Sequence, residues 1–575
     1  MMSWLHPGFI LIFGALLVPL FKGKWKEAYL ILPPVAALIV VILMHTGVFG
    51  QIPFSTWHLP FLGYDLVFGK VDNLSFLFGL AFTLALVPVM IYSLHVKSST
   101  EHMSQLIYAG SALGVVFAGD LISLYFFWEL MSIASVLVIW HGATEKAHSA
   151  GYRYILWHVA GGITLLAGII MYISATGSIT FNAFDWNSDS TFWASMLIFI
   201  GFILNAGVPP LHAWLPDAYP ESTVTGSVYL SIFTTKSAVY VLARGFAGFS
   251  PLIWIGAFMT IYPIFFAVLE NNLRRVLSYS IINQVGFMLC GIGMGTALAM
   301  NGATSHAFVH IIYKSLLFMS VGSVLFRTRT ANITDLGGLF KTMPLTAVFC
   351  LVGAASISAF PLLSGFTTKA MVVQSAALGG MGLIFVLLLI AGAGVFEHAG
   401  IKVPFFTFFG RDSGLKAKDP PVNMLLGMGI MAFLCIFFGV YPYPLYQILP
   451  YSAAAIYNPF TIPHVMETLE LLLFAAFAFF ILHKTGIYPP ERRTITLDTD
   501  WPLRVLGGKV IWFAKGPLST FSTRMDNNMK KIAADFSAFG EEKEERVFIG
   551  VSVMLALLFL ALYLIVEISY NWIFS

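Results

Sequence analysis

Long apolar runs recur along nearly the whole chain, and a bilayer leaves such runs one way to fold. About 20 mostly apolar residues make a helix long enough to cross a hydrocarbon core about 30 Å thick. At that depth no water is present, so every backbone N–H and C=O must be satisfied within the helix itself. By this rule the runs near 8–21, 29–47, 72–95, 103–119, 121–140, 153–175, 192–212, 226–247, 251–270, 277–298, 302–326, 346–378, 381–409, 421–445, 466–483 and 547–569 are read as sixteen spans. The expected fold is an all-α integral membrane protein. Composition agrees: 58% of the 575 residues are hydrophobic and 10% charged, against about 45–50% and about 25% in soluble domains. No charged linker divides the chain before residue 480.

The loops between the runs carry an orientation signal. Loops facing the cytoplasm collect Lys and Arg. Counting from the N-terminus, the odd loops hold Lys22, Lys24, Lys26, Lys97, Lys146, Arg153, Arg274, Arg275, Arg327, Arg329, Lys341, Arg411, Lys416 and Lys418, while the even loops hold Lys70 and Arg244. The odd loops are therefore expected inside and both termini outside, in a cell (inner) membrane. The first run is preceded by Met1-Met2-Ser3-Trp4-Leu5-His6-Pro7 and followed by the lysines, the reverse of a secretory signal peptide. It is read as a retained span.

Two runs are interrupted by proline: Val208-Pro209-Pro210-Leu211-His212-Ala213-Trp214-Leu215-Pro216 in the seventh and Phe360-Pro361-Leu362-Leu363-Ser364-Gly365-Phe366 in the twelfth. Proline removes a backbone donor and clashes with the preceding turn, so both helices should break. Broken helices at corresponding places point to a transporter built from repeats. The broken spans are five apart in the order of spans, and an odd count per repeat inverts the second copy. The expected organisation is three N-terminal spans in 1–100, inverted five-helix repeats over 101–247 and 251–409, two spans in 421–485, a link with an amphipathic helix in 486–545 and a last span in 546–575. In the link, Leu518, Phe521, Met525, Met529, Ile532, Phe536 and Phe539 recur at steps of three and four, an amphipathic pattern about 33 Å long. Such a helix either lies on the cytoplasmic membrane surface or docks on a neighbouring subunit.

Ionisable residues in mid-span cost about 2.5–3.5 kcal/mol each on insertion scales and are functional candidates by default. Glu129, Lys236, His306, His310, Lys314 and Lys369 stand in this position as the expected proton relay, with His158, His212 and the adjacent Glu397 and His398 as weaker candidates, and with Asn205 as a weaker polar candidate. His306, His310 and Lys314 are spaced at i, i+4 and i+8, so they line one helix face over about 12 Å. Burial draws Lys and Glu toward neutral pKa values, and His is already near them. Side chains of these types linked by water can pass a proton. Cys290, Cys350 and Cys435 lie far apart inside apolar runs and fit neither a disulfide framework nor a metal ligand set. Phosphate-cradling loops and nucleophile–base constellations are also missing from the sequence, so no cofactor, no metal and no catalysis by the chain alone is expected.

These motifs resemble the antiporter-like membrane subunits of Mrp-type cation/proton antiporters, complex I and membrane-bound hydrogenases. Phe127-Trp128-Glu129-Leu130-Met131 resembles the family's fifth-span glutamate signature, Pro210 to Ala218 its broken seventh helix, and Thr235-Lys236 its eighth-span lysine. Leu273 to Ser280 with Asn283-Gln284-Val285-Gly286 is similar to the ninth-to-tenth connection, His306 to Phe318 to the central relay, and Phe360 to Lys369 to the broken twelfth helix with its exit-side lysine. Six motifs stand in the family's order and spacing over roughly residues 70–410. The resemblance implies that Glu129 pairs with lysines of a first half-channel, Lys314 joins the halves and Lys369 hands the proton onward. The closing span–helix–span resembles the longest complex I subunit more than an Mrp D subunit, which ends earlier.

The family places a lysine seven residues before His212, where this chain has Asn205. Glu129 is then expected to lean on Lys236, and His158 either compensates or packs. Two functions follow. One is a proton- or cation-translocating subunit of an Mrp-like Na+/H+ antiporter or a complex I-like assembly. The other, favoured by Asn205, is a non-pumping coupling or anchoring subunit energising a partner such as an inorganic-carbon or redox module. Either implies membrane-subunit partners, lipid, protons and Na+ or K+, and no nucleic acid. A self-sufficient carrier of organic solutes would need a substrate-sized polar pocket, for which the sequence shows no signature.

Overall fold

Each of the first fifteen apolar runs lies on a helix or a pair of half-helices in the computed structural model. The structure describes residues 4–61, 63–451, 457–489, 492, 497–502 and 505–506. Contacts divide the chain into Met1–Asp500 and Trp501–Ser575; the expected amphipathic helix and last span fall in the second unit, outside the described residues. Ten described helices are long and apolar enough to cross a membrane, and three shorter apolar ones accompany them at Pro7–Leu20, Phe192–Ala206 and Pro344–Ile357. The fourth run, Ser99–Phe117, is helical but more polar.

The all-helical expectation needs one correction. Phe54–Phe61 and Tyr64–Val71 form an antiparallel hairpin, with Phe54 opposite Val71 and Phe61 opposite Tyr64. The segment lies between two spans and is rich in aromatic and β-branched residues, which suit a pleated ribbon. Its second strand buries Leu66 and Val71. Lys70 Nζ donates from it to Phe181 O at 3.1 Å and Asn182 Oδ1 at 2.7 Å.

Loop contacts sort the molecule into two faces. On one, the Arg244 guanidinium clasps both Asp72 oxygens at 2.8 Å, and Asn301 exchanges two bonds with the Tyr451 backbone. On the other, Arg153 clasps Asp217, Arg274 donates to Ser222 O at 2.7 Å, and Arg327 donates to Asp419 O at 2.6 Å. The first group joins even loops and the second joins odd loops. The loops rich in Lys and Arg thus share a face, as alternation along the chain requires.

Both expected breaks are present. The helix Phe192–Ala206 ends at Gly207, φ 72°, and helix resumes at Trp214. Pro344–Ile357 and Ser364–Leu378 are separated by a turn in which Ala359 and Leu362 take φ of 60° and 70°. L-residues reach that region at a cost of about 1–2 kcal/mol, so packing must hold them there. Gly365 permits part of that packing, since a Cβ on it would lie 1.9 Å from Ser356 O. A third break was not foreseen: the eighth run divides into Gly226–Ile232 and Thr234–Gly245 at Phe233. The Tyr108 hydroxyl, 3.0 Å from Thr234 N and 2.6 Å from Thr234 Oγ1, takes the backbone donor that the break releases.

Candidate functional site

The centre of the site is built by Ala297–Thr328, which is buried along almost all of its length. His306 Nε2 hydrogen-bonds to Gln284 Oε1 at 3.1 Å, Tyr313 Oη donates to that same oxygen at 3.0 Å, and His306 Nδ1 meets Thr368 Oγ1 at 3.0 Å. One turn on, both ring nitrogens of His310 are buried with no hydrogen-bonding partner among the described residues; the ring lies 6.2 Å from that of His306 and 5.2 Å from that of Tyr313. Among the described residues, Lys314 Nζ hydrogen-bonds only to Leu277 O, at 3.4 Å. Fully buried polar groups in native proteins nearly always have partners, protein or water.

Lys236 and Lys369 flank this helix in parallel settings. The Lys236 ammonium donates to Ser231 O at 2.6 Å, a carbonyl at the unforeseen break, and to Thr235 Oγ1 at 3.1 Å. The Lys369 ammonium donates to Ile357 O at 2.6 Å, the last carbonyl of the preceding half-helix, and lies 5.2 Å over the Phe287 ring. Terminal helix carbonyls lack intrahelical partners and carry partial negative charge, so they suit a cation. Both lysines are within electrostatic reach of His306, His310 and Lys314. Beside Lys369 a cavity of about 580 Å³ opens between Ser364–Leu378, Gly382–Val395 and Ile462–Thr485, with Gln374, His464 and Glu467 in its wall.

Glu129 is not brought into this group. Its carboxylate crosses the next helix at Gly162, where a Cβ would lie 2.1 Å from Oε1, and that oxygen is buried without a hydrogen-bonding partner among the described residues. The expected lean on Lys236 is absent, because the break at Phe233 gives that ammonium a carbonyl close by. Asn205 is buried, and among the described residues neither of its amide atoms has a partner; His158 lies flat on Tyr154, ring centroids 3.8 Å apart, with Nδ1 bonded to Tyr154 O and Nε2 without a partner among the described residues. His212 bonds through Nε2 to Asp498 Oδ2 at 3.1 Å. Glu397 accepts from Tyr488 Oη at 2.6 Å, and His398 Nδ1 bonds to Gly394 O; both sit on a π-helical stretch, Phe396–Ile401, a widening often found at functional sites.

Two buried, bonded charged side chains were missed from sequence. Lys402 is fully buried and donates to Ala267 O, Val268 O and Glu270 O. It lies inside the thirteenth run and satisfies the same mid-span criterion, so attention to that run would have found it. Asp498 had no such signal, because a carboxylate in a polar link reads as solvated.

This geometry can be set beside known proteins. The family model described as "NADH:quinone oxidoreductase/Mrp antiporter, TM" matches residues 118–395, which contain Glu129, Lys236, the central histidines and Lys369. Over residues 118–395 the chain is similar to the antiporter-like membrane subunits that this model describes. The A1 subunit of the Na(+)/H(+) antiporter of Staphylococcus haemolyticus is 30% identical over 495 residues, covering 77% of this chain and 61% of that protein. Its counterpart of the same name in Staphylococcus aureus is 29% identical over 496 residues, covering 77% and 61%. The chain thus spans about three fifths of the length of these relatives. In fold it is similar to a chain of the Mrp complex from Dietzia sp. DQ12-45-1b, with TM-score 0.69, 20% identity, and coverage of 80% of this chain and 98% of that one. A chain of respiratory complex I from Thermus thermophilus gives 0.70, 21%, 81% and 99%. The chain is a multi-span membrane protein with this fold.

Proposed function

We propose that this chain is the proton- or cation-translocating membrane subunit of an Mrp-like Na+/H+ antiporter or a complex I/hydrogenase-like assembly. It is not a catalyst by itself and works with partner membrane subunits. The observation that carries the reading is the buried stripe of His306, His310 and Lys314, flanked by two lysines held on carbonyls at helix breaks. A proton arriving at Lys236 raises the positive charge felt by the histidines and Lys314. In the low-dielectric interior that repulsion is strong, so it drives charge on toward Lys369 and the cavity beside it. The breaks let each lysine exchange its carbonyl for water without unfolding a helix.

Support for inverted repeats comes from register. Asp120 bridges Thr180, and Asn272 bridges Asn332; each cap also accepts from the first backbone amides of its helix. A shift of 152 residues (120 to 272, 180 to 332) relates the two devices. The same shift carries Gly207 onto Ala359, both at positive φ, and His158 onto His310. We assign the basic face to the cytoplasm, which places the N-terminal residues outside and the protein in the cell membrane.

The test uses membrane vesicles in which a pH gradient drives transport. Lys314→Ala and Glu129→Ala are each expected to abolish transport while the protein still inserts; full activity in both refutes the relay. The second reading, a coupling subunit that no longer pumps, is favoured by Asn205, whose buried amide has no partner among the described residues where the family resemblance calls for a lysine. Asn205→Lys distinguishes them: it raises transport if the first half had been disabled, and leaves it unchanged or lower if that half already works.

A further inference from the structure

Between the last described span and Asp500 the chain returns to the seventh-span break, 286 positions earlier in sequence. There Asp498 is the hub of a buried cluster. Its side chain is 5% exposed and that of His212 is 0% exposed. Tyr262 Oη donates to Oδ1 at 2.8 Å, Tyr279 Oη to Oδ2 at 2.8 Å, and His212 Nε2 to Oδ2 at 3.1 Å, while Thr499 Oγ1 donates to Pro210 O at 3.1 Å. His212 Nδ1, on the other edge of the ring, is buried without a hydrogen-bonding partner among the described residues. An imidazole with one nitrogen on a carboxylate and the other free of a hydrogen-bonding partner among the described residues has the form of a proton shuttle held by a counter-charge.

The geometry points to His212 as a proton-carrying residue of the first half, with Asp498 as the positioning counter-ion delivered by the link. This rests on the relay reading above. A proton taken up at Nδ1 makes an imidazolium held against the Asp498 carboxylate; its release from Nδ1 toward the interior restores the neutral ring with Nε2–H still donated to Oδ2. Only the Nδ1–H bond forms and breaks. Burial alone would raise the pKa of the carboxylate, but the hydrogen bond and charge of His212, the Thr499 backbone amide and the Tyr279 hydroxyl bring it down to about 2. The other charged or titratable groups around the cluster are Asp500 on the link and Arg275 and Glu270 beside Tyr279. The break explains why the acid can reach the ring, since residues 207–213 are not wrapped in a helix. This arrangement also supplies a titratable group in the broken segment that carries Asn205 instead of lysine.

The experiment measures the rate–pH profile of gradient-driven transport in vesicles containing the full chain with its native partner subunits. Asp498→Asn removes the charge that favours the imidazolium, so the alkaline limb is expected to move to lower pH by about one unit or more. Tyr262→Phe with Tyr279→Phe leaves the carboxylate charge less dispersed and should move that limb the other way. Opposite shifts support the proposal. An unmoved limb in Asp498→Asn, or loss of amplitude alone in both variants, overturns it and leaves Asp498 as a structural clasp. If Asp498→Asn does not insert, the direction of the tyrosine variant decides. Full transport in both Lys314→Ala and Glu129→Ala refutes the relay itself, whereas inactive Lys314→Ala and Glu129→Ala with an unmoved Asp498→Asn profile refute only this inference.

Discussion

Replacing Gly162 with alanine puts a methyl group where the Glu129 carboxylate now lies. The new Cβ would stand 2.1 Å from Oε1, 2.9 Å from Cδ and 3.2 Å from Oε2. Bringing the closest pair from 2.1 Å to the 3.4 Å of ordinary contact requires a retreat of about 1.3 Å. A carboxylate ends a flexible side chain, so the retreat costs about 0.5–1.5 kcal/mol of rotamer strain. Alanine returns about 0.8–1.0 kcal/mol of helix propensity. Stability should therefore change little. Function should not be spared, because a displacement of about 1 Å at a reacting group can cost about 100-fold. The neighbouring residue supplies the control: a Cβ on Gly161 meets only the Leu204 side chain, its methyl groups at 3.2 and 3.3 Å, and these can yield. Transport rates and thermal unfolding of both variants in matched vesicles decide the matter. Gly162→Ala is expected to lose one to two orders of magnitude in rate at unchanged stability, and Gly161→Ala to lose neither. Wild-type transport in Gly162→Ala, or equal loss in Gly161→Ala, would refute the role given to the Glu129 position.

Gln284→Leu removes one acceptor shared by His306 and Tyr313, and stranding two buried donors costs about 1–3 kcal/mol each; a double-mutant cycle with Tyr313→Phe should show a coupling well above zero in thermal unfolding. Asp72→Asn breaks the clasp with Arg244 and should destabilise by about 1.5–3 kcal/mol at neutral pH. Burial would raise the Asp72 pKa, but the Arg244 guanidinium outweighs it and holds the carboxyl below its usual 3.8. The stabilisation is thus complete above about pH 4 and lost as pH falls through the depressed folded value. The gap between wild type and Asp72→Asn should close on acidification, and a gap that widened would contradict the sign.

How much of this was legible beforehand depends on the range of the forces involved. Apolar runs, proline breaks and the alternation of basic loops follow from each segment's own transfer free energy into lipid, so they can be read along the chain. So can the burial of His306, His310, Lys314, Lys236 and Lys369, since a charge inside an apolar run has nowhere else to be. The hairpin at 54–71 was overlooked because short runs with no buried periodicity carry a weak signal, and the break at Phe233 because it has no proline; it depends on the Tyr108 hydroxyl 126 positions away. Which carbonyl holds Lys236, why Glu129 lies over Gly162 instead of beside a lysine, and how Asp498 comes to sit on His212 were settled only by the tertiary structure. Hydrogen bonds and ion pairs act over about 3 Å between residues far apart in sequence, and only the packing of the helices brings those partners within that distance.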